Sequence, residues 1–73
     1  MIDEATVVQI AREAAQAEGW AFVEPVECVL RRDWRGRGVR WEIRTNAGRF
    51  GAIARFVISA IDGRVIQKGY VPR

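Results

Sequence analysis

The chain has no histidine, and only one cysteine, one serine and one lysine. Without an imidazole it lacks the side chain that most often serves as a general base near neutral pH, which is also the commonest metal ligand. Its only serine, Ser59, has no base to partner it, which excludes a hydrolase triad. The lone Cys28 cannot close an internal disulfide. Secreted domains of this size usually rely on such bridges, so a reducing compartment is expected. Cys28 falls in the middle of an expected strand on its core side, where cysteine acts as a small hydrophobe. Beyond residue 28 the acids are Asp33, Glu42 and Asp62, spread over different elements, with no pair at metal-ligand spacing. The expectation is a protein that is not an enzyme and holds no metal and no cofactor.

Long apolar runs are also missing. None approaches the roughly 18–20 residues needed to cross a bilayer, so no membrane span is expected. The opening Met1-Ile2-Asp3-Glu4 is acidic and is not followed by a signal-type apolar stretch. No signal peptide is visible, which leaves the compartment open with a lean toward the cytoplasm. There are no internal repeats and no low-complexity segments.

What is present argues for a folded chain: 49% hydrophobic residues, with three Trp, three Phe and one Tyr. Its 73 residues make one domain, residues 1–73. Such a chain buries only about 60–65% of its unfolded surface, leaving no room for both a deep pocket and an intact core. Function is therefore expected on an open face. The net charge is +3, but it is unevenly spread. Residues 1–28 carry six acids and one base, and residues 29–73 carry eleven bases and three acids. Eleven of the twelve bases are arginine, which suits carboxylate or phosphate recognition. Codon usage in a GC-rich genome produces the same bias.

The spacing predicts a helix from about Glu4 to Glu18. Asp3 is a suitable N-cap, Ile2 and Val7 stand at the positions of a hydrophobic staple, and Gly19 supplies a left-handed stop. Val7, Val8, Ile10, Ala11, Ala14, Ala15 and Ala17 fall on one half of its circumference. After Trp20 the pattern changes to period two. Four runs, around 26–31, 39–45, 52–61 and 64–71, are separated by Arg35-Gly36-Arg37-Gly38, Asn46-Ala47-Gly48 and Asp62-Gly63. Asp62-Gly63 signals a two-residue hairpin turn. The expected class is α+β: one N-terminal helix packed on a three- or four-stranded antiparallel meander, in the order α-β-β-β-β.

A two-residue turn at Asp62-Gly63 would set Ile61 opposite Arg64, Ala60 opposite Val65, Ser59 opposite Ile66 and Val57 opposite Lys68. Phe56, Ile58, Ala60 and Val65 would then join Cys28, Leu30, Val39, Trp41 and Ile43 against the helix. The uncovered face would carry Arg40, Arg44 and Arg55 around an apolar centre of Val57, Ile61 and Ile66, with Lys68 at its border. An apolar centre with a charged rim is typical of an interaction surface, so a protein partner or a second copy of the chain is expected there. A single-stranded nucleic acid is the alternative partner. Arg31, Arg32, Arg35, Arg37, Arg40 and Arg44 gather on the first hairpin with Trp34 and Trp41 among them.

The Ala-rich helix ending at Gly19, the Trp41-x-Ile43 strand and the ending Phe56-Val57-Ile58-Ser59-Ala60-Ile61-Asp62-Gly63-Arg64-Val65-Ile66 together resemble a PepSY-type domain. Endings of that family commonly read hydrophobic-x-Val-Asp-Ala-x-x-Gly-x-Val. The resemblance implies a peptidase inhibitor or ligand-binding module and brings no catalytic residues. Small immunity proteins with an NTF2-like or cystatin-like sheet share a similar αβ ending and are a second resemblance.

Overall fold

The computed structural model describes residues 1–32, 38–48 and 51–72. Helix α1 runs Glu4–Glu18 and is held at both ends by its own sequence. Asp3 stays extended, and its Oδ1 accepts from the Thr6 amide at 2.8 Å. Hydrogen bonding from Thr6, its side chain first and this amide second, holds the Asp3 carboxyl below the usual aspartate value. At the other end Gly19 turns left-handed, at φ 77°. Its amide donates to Gln16 O at 3.1 Å and the Trp20 amide to Ala15 O at 2.8 Å, the pair of bonds that defines a Schellman cap.

The rest forms one sheet in sequential order: β1 (Glu27–Arg32), β2 (Val39–Arg44), β3 (Ile53–Ser59) and β4 (Val65–Val71). Every neighbouring pair is antiparallel. This is the expected α-β-β-β-β meander, with four strands rather than three. Arg35-Gly36-Arg37-Gly38, expected to separate the first two strands, lies outside the described residues except for Gly38.

The helix lies on one side of the sheet, above its central strands. Val7, Ala11 and Ala15 are fully buried against Trp41 and Ile43 of β2 and Ala54, Phe56, Ile58 and Ala60 from β3 and its end. Alanine at the contact lets the helix approach closely, so Phe56 and Ile58 fill the space beneath it. Each such side chain contributes roughly 1.5–3 kcal/mol by leaving water. Ala17, expected on the apolar half, is exposed. It stands at the margin of the stripe, about 120° from Ala11 around the axis.

Two residues with no role assigned from sequence complete this side. Trp20 stacks on Tyr70 with ring centres 5.4 Å apart, and Trp20 and Phe22 both tilt against Phe56. The segment before the helix is pinned as well: the Ile2 amide donates to Ala60 O at 2.7 Å, and Trp41 Nε1 donates to Ile2 O at 2.9 Å.

The turn between β3 and β4 differs from the expected one. A two-residue turn of the expected type needs positive φ at both central positions. Here Gly63 has φ 76°, while Asn46 is the one described residue other than glycine with positive φ. The loop is four residues, 60–63, closed by Ser59 N to Arg64 O at 2.9 Å and Gly63 N to Ser59 O at 3.0 Å. The Ser59 hydroxyl accepts from the amides of Ile61 and Asp62, and Asp62 Oδ1 accepts from the Arg64 amide. Ala60 meanwhile belongs to the sheet side, its amide donating to Val39 O at 3.0 Å. These bonds place Ile58, rather than Ala60, opposite Val65.

Past that pair a bulge leaves Ile66 without an opposite residue, so Val57 faces Gln67 and Phe56 faces Lys68. An extra residue exchanges the two sides of everything beyond it. Lys68, expected on the open face, therefore stands on the helix side, where its Nζ meets Glu18 Oε2 at 2.6 Å.

A Cβ built on Gly63 would sit 2.8 Å from Ile2 Cδ1 and 3.1 Å from Ile10 Cδ1. A left-handed conformation adds about 1–2 kcal/mol of strain for any residue with a side chain. Gly63→Ala is expected to lower stability in urea unfolding by at least about that amount. Gly69→Ala, with nothing within 4 Å, should change it little. Equal losses would contradict this turn.

Candidate interaction face

Because strand side chains alternate, burying one set under the helix sends the other to the opposite side. The register arranges that second set in rows across the strands. Glu27, Arg44, Arg55 and Gly69 form one row, and Val29, Glu42, Val57 and Gln67 the next. Arg31, Arg40 and Ser59 form a third. Ile53 and Val71 close the end beyond Arg55.

Four of the residues expected on this face, Arg40, Arg44, Arg55 and Val57, are brought together. Ile61 is not: it sits in the turn, 70% exposed. Ile66 lies at the bulge on the edge strand, and Lys68 is on the other side of the sheet. The apolar part of the face is accordingly Val29, Ile53, Val57 and Val71 rather than Val57, Ile61 and Ile66. Glu27, Val29 and Arg31 were legible from alternation with Cys28 and Leu30, whereas Gln67 and Gly69 depend on the bulge.

The charges are largely paired. Glu42 lies between two arginines, 3.3 Å from Arg31 Nε and 3.8 Å from Arg40 Nε. Glu27 Oε1 is 3.0 Å from the Arg44 Nη2. With four arginines and two glutamates the face carries a net charge of +2. Arg55 has no ion-pair partner among the described residues. Arg44 Nε is buried without a hydrogen-bond partner among the described residues. Between these side chains runs a shallow groove of about 450 Å³, reaching from Glu27 and Val29 on β1 to Gln67 and Gly69 on β4.

The groups with reactive potential lie elsewhere. Cys28 is on the helix side, half-buried, its thiol pushed up by burial and by the nearby Glu4 and Glu27 carboxylates. Ser59 Oγ is engaged by two turn amides. Trp41 is buried and its indole N–H is bonded to Ile2 O, so its ring offers no stacking surface. Trp34, Arg35 and Arg37, expected to contribute to a nucleic-acid site, lie outside the described residues. Among the described residues no group of His, Cys, Asp or Glu side chains could hold a metal ion. No described helix is long and apolar enough to cross a membrane.

Comparison with known proteins finds no matching family model, no similar curated protein and no similar solved structure.

The ion pairs are all partly exposed, and such pairs contribute about 0–1 kcal/mol each. Glu42→Gln should therefore reduce stability by less than about 1 kcal/mol, a difference that shrinks further in high salt. A loss of several kcal/mol on thermal unfolding would show that Glu42 is needed to hold the sheet together.

Proposed function

We propose that this chain is a non-enzymatic interaction or inhibitory module that binds a protein partner through the open face of its sheet. The observation that carries the reading is the one-sided packing. The helix covers one side of the meander, while the other presents Val29 and Val57 among arginines along a groove that crosses all four strands. A charged rim around an apolar strip is the usual composition of a recognition surface. The engaged Ser59 hydroxyl and the raised Cys28 thiol support a role without covalent chemistry. The PepSY-type resemblance adds the inhibitory form of this reading.

Size favours a partner segment over a broad second domain. Four strands spaced about 4.8 Å apart span roughly 14 Å between outer strands, and seven residues extend about 23 Å. That area is roughly two fifths of the 800 Å² that each side of a standard interface contributes. A second copy of the chain is accordingly the weaker candidate.

The basic balance also supports a second reading, a single-strand nucleic-acid binder, through the net +3 charge and the four arginines on the face. Fluorescence anisotropy with a labelled oligothymidylate at low and high salt tests it. Absence of a shift at low salt would end it.

The main reading is tested by capture from an extract of the source cells. A partner retained by the wild type and by Gln9→Lys on the exposed helix surface should be lost with Val57→Asp. Capture unchanged by Val57→Asp would refute the open face as the binding surface. A drop in mass on light scattering with Val57→Asp would instead identify the partner as a second copy.

A further inference from the structure

Resting on that reading, we propose that Arg44 and Arg55 form a seat for one carboxylate, presented by an acidic side chain of an extended protein segment lying in the groove. The two arginines are directly opposite each other on β2 and β3. Like charges facing across a strand pair are unfavourable unless an opposite charge lies between or beside them. Glu27 meets this need on one flank only, through Arg44 Nη2 at 3.0 Å. Among the described residues Arg44 Nε has no hydrogen-bond partner and the Arg55 guanidinium has no ion pair.

The space around the pair is open on the side away from Glu27. Next in the row after Arg55 stands Gly69, where an added Cβ would meet nothing within 4 Å. Gly69 therefore adds no side chain at the level of the two arginines. The adjoining row offers Val57, with Glu42 beyond it already held by Arg31 and Arg40.

These neighbours decide what kind of anion fits. Glu27 and Glu42 would repel a second and third negative charge placed along the face, which disfavours a regular polyanion. No aromatic ring lies in the described rows of this face to stack a base. One carboxylate flanked by apolar groups matches the pattern, its charge on Arg44 and Arg55 and its neighbours on Val57 and Val29. Arginine suits the task, because its planar fork binds carboxylate in a bidentate manner and such charge-assisted bonds are about twice as strong as neutral ones. The groove crosses all four strands, a distance of about 14 Å. An extended segment of about four residues spans it at roughly 3.3 Å each, whereas a compact metabolite would not.

The test uses two blocked tripeptides, acetyl-Val-Glu-Val-amide and acetyl-Val-Gln-Val-amide, titrated into isotopically labelled full chain. The readout is the arginine Nε–H signals in NMR spectra. The glutamyl peptide should move the signals of Arg44 and Arg55 and bind at least about tenfold more tightly than the glutaminyl peptide. Arg55→Gln and Arg44→Gln should each weaken it by a similar factor, with amide spectra showing that both variants remain folded. Equal shifts with both peptides, or shifts confined to Arg31 and Arg40, would overturn the seat. So would tighter binding of an oligothymidylate that depends on Arg44 and Arg55, which would assign the pair to phosphate. Partner capture separates this inference from the reading beneath it. Capture that survives Arg44→Gln and Arg55→Gln but fails with Val57→Asp rejects the seat and keeps the face. Capture that survives Val57→Asp rejects the face itself.

Discussion

Successive side chains in β3 point to opposite sides of the sheet, and a single helix is available to cover one of them. Ala54, Phe56 and Ile58 go under that helix and are almost wholly removed from water. Ile53, Arg55 and Val57 are thereby committed to the other side, whatever their own preferences. This alternation joins the core to the candidate site. The contacts that stabilise the domain also assemble the exposed rows, because both are read from one strand.

The helix was legible in full because its signals are local. Asp3 satisfies an amide three residues away and Gly19 adopts the one conformation it tolerates better than other residues. Neither needs the rest of the protein. The order of the meander was legible for a related reason: alternation in β1 and β2 survives in the sequence, β3 shows as an apolar run rich in β-branched residues, and glycines mark the breaks. The β3–β4 turn was not legible. Asp62-Gly63 has the local chemistry of a two-residue turn, but Ala60 is claimed by Val39 and Ile2, residues far away in the chain. With Ala60 tied to the sheet side, Ser59 and Asp62 gather the remaining turn amides, and the loop widens to four residues. Tertiary bonds outweighed local propensity.

Most of the error in the expected face came from the bulge beyond that turn, the turn itself displacing only Ile61. The bulge at Ile66 reverses the sides of β4, which removes Lys68 from the open face and brings in Gln67 and Gly69. It also resolves a charge problem. Lys68 joins Glu18 at the end of the acidic helix, linking the negative half of the chain to the positive half. On the open face the arginines that remain are interleaved with Glu27 and Glu42, so a region that reads as simply basic is in fact a set of paired charges in which Arg55 alone has no ion pair among the described residues.

The division of β3 into two sides can be checked with adjacent residues. Thermal unfolding should be followed by circular dichroism for Val57→Asp and Ile58→Asp, two substitutions that add the same charge one position apart. The aspartate at position 57 should leave a cooperative transition close to that of the wild type, whereas at position 58 it should abolish the folded state. Similar loss at both positions, or the greater loss at Val57, would contradict the one-sided sheet.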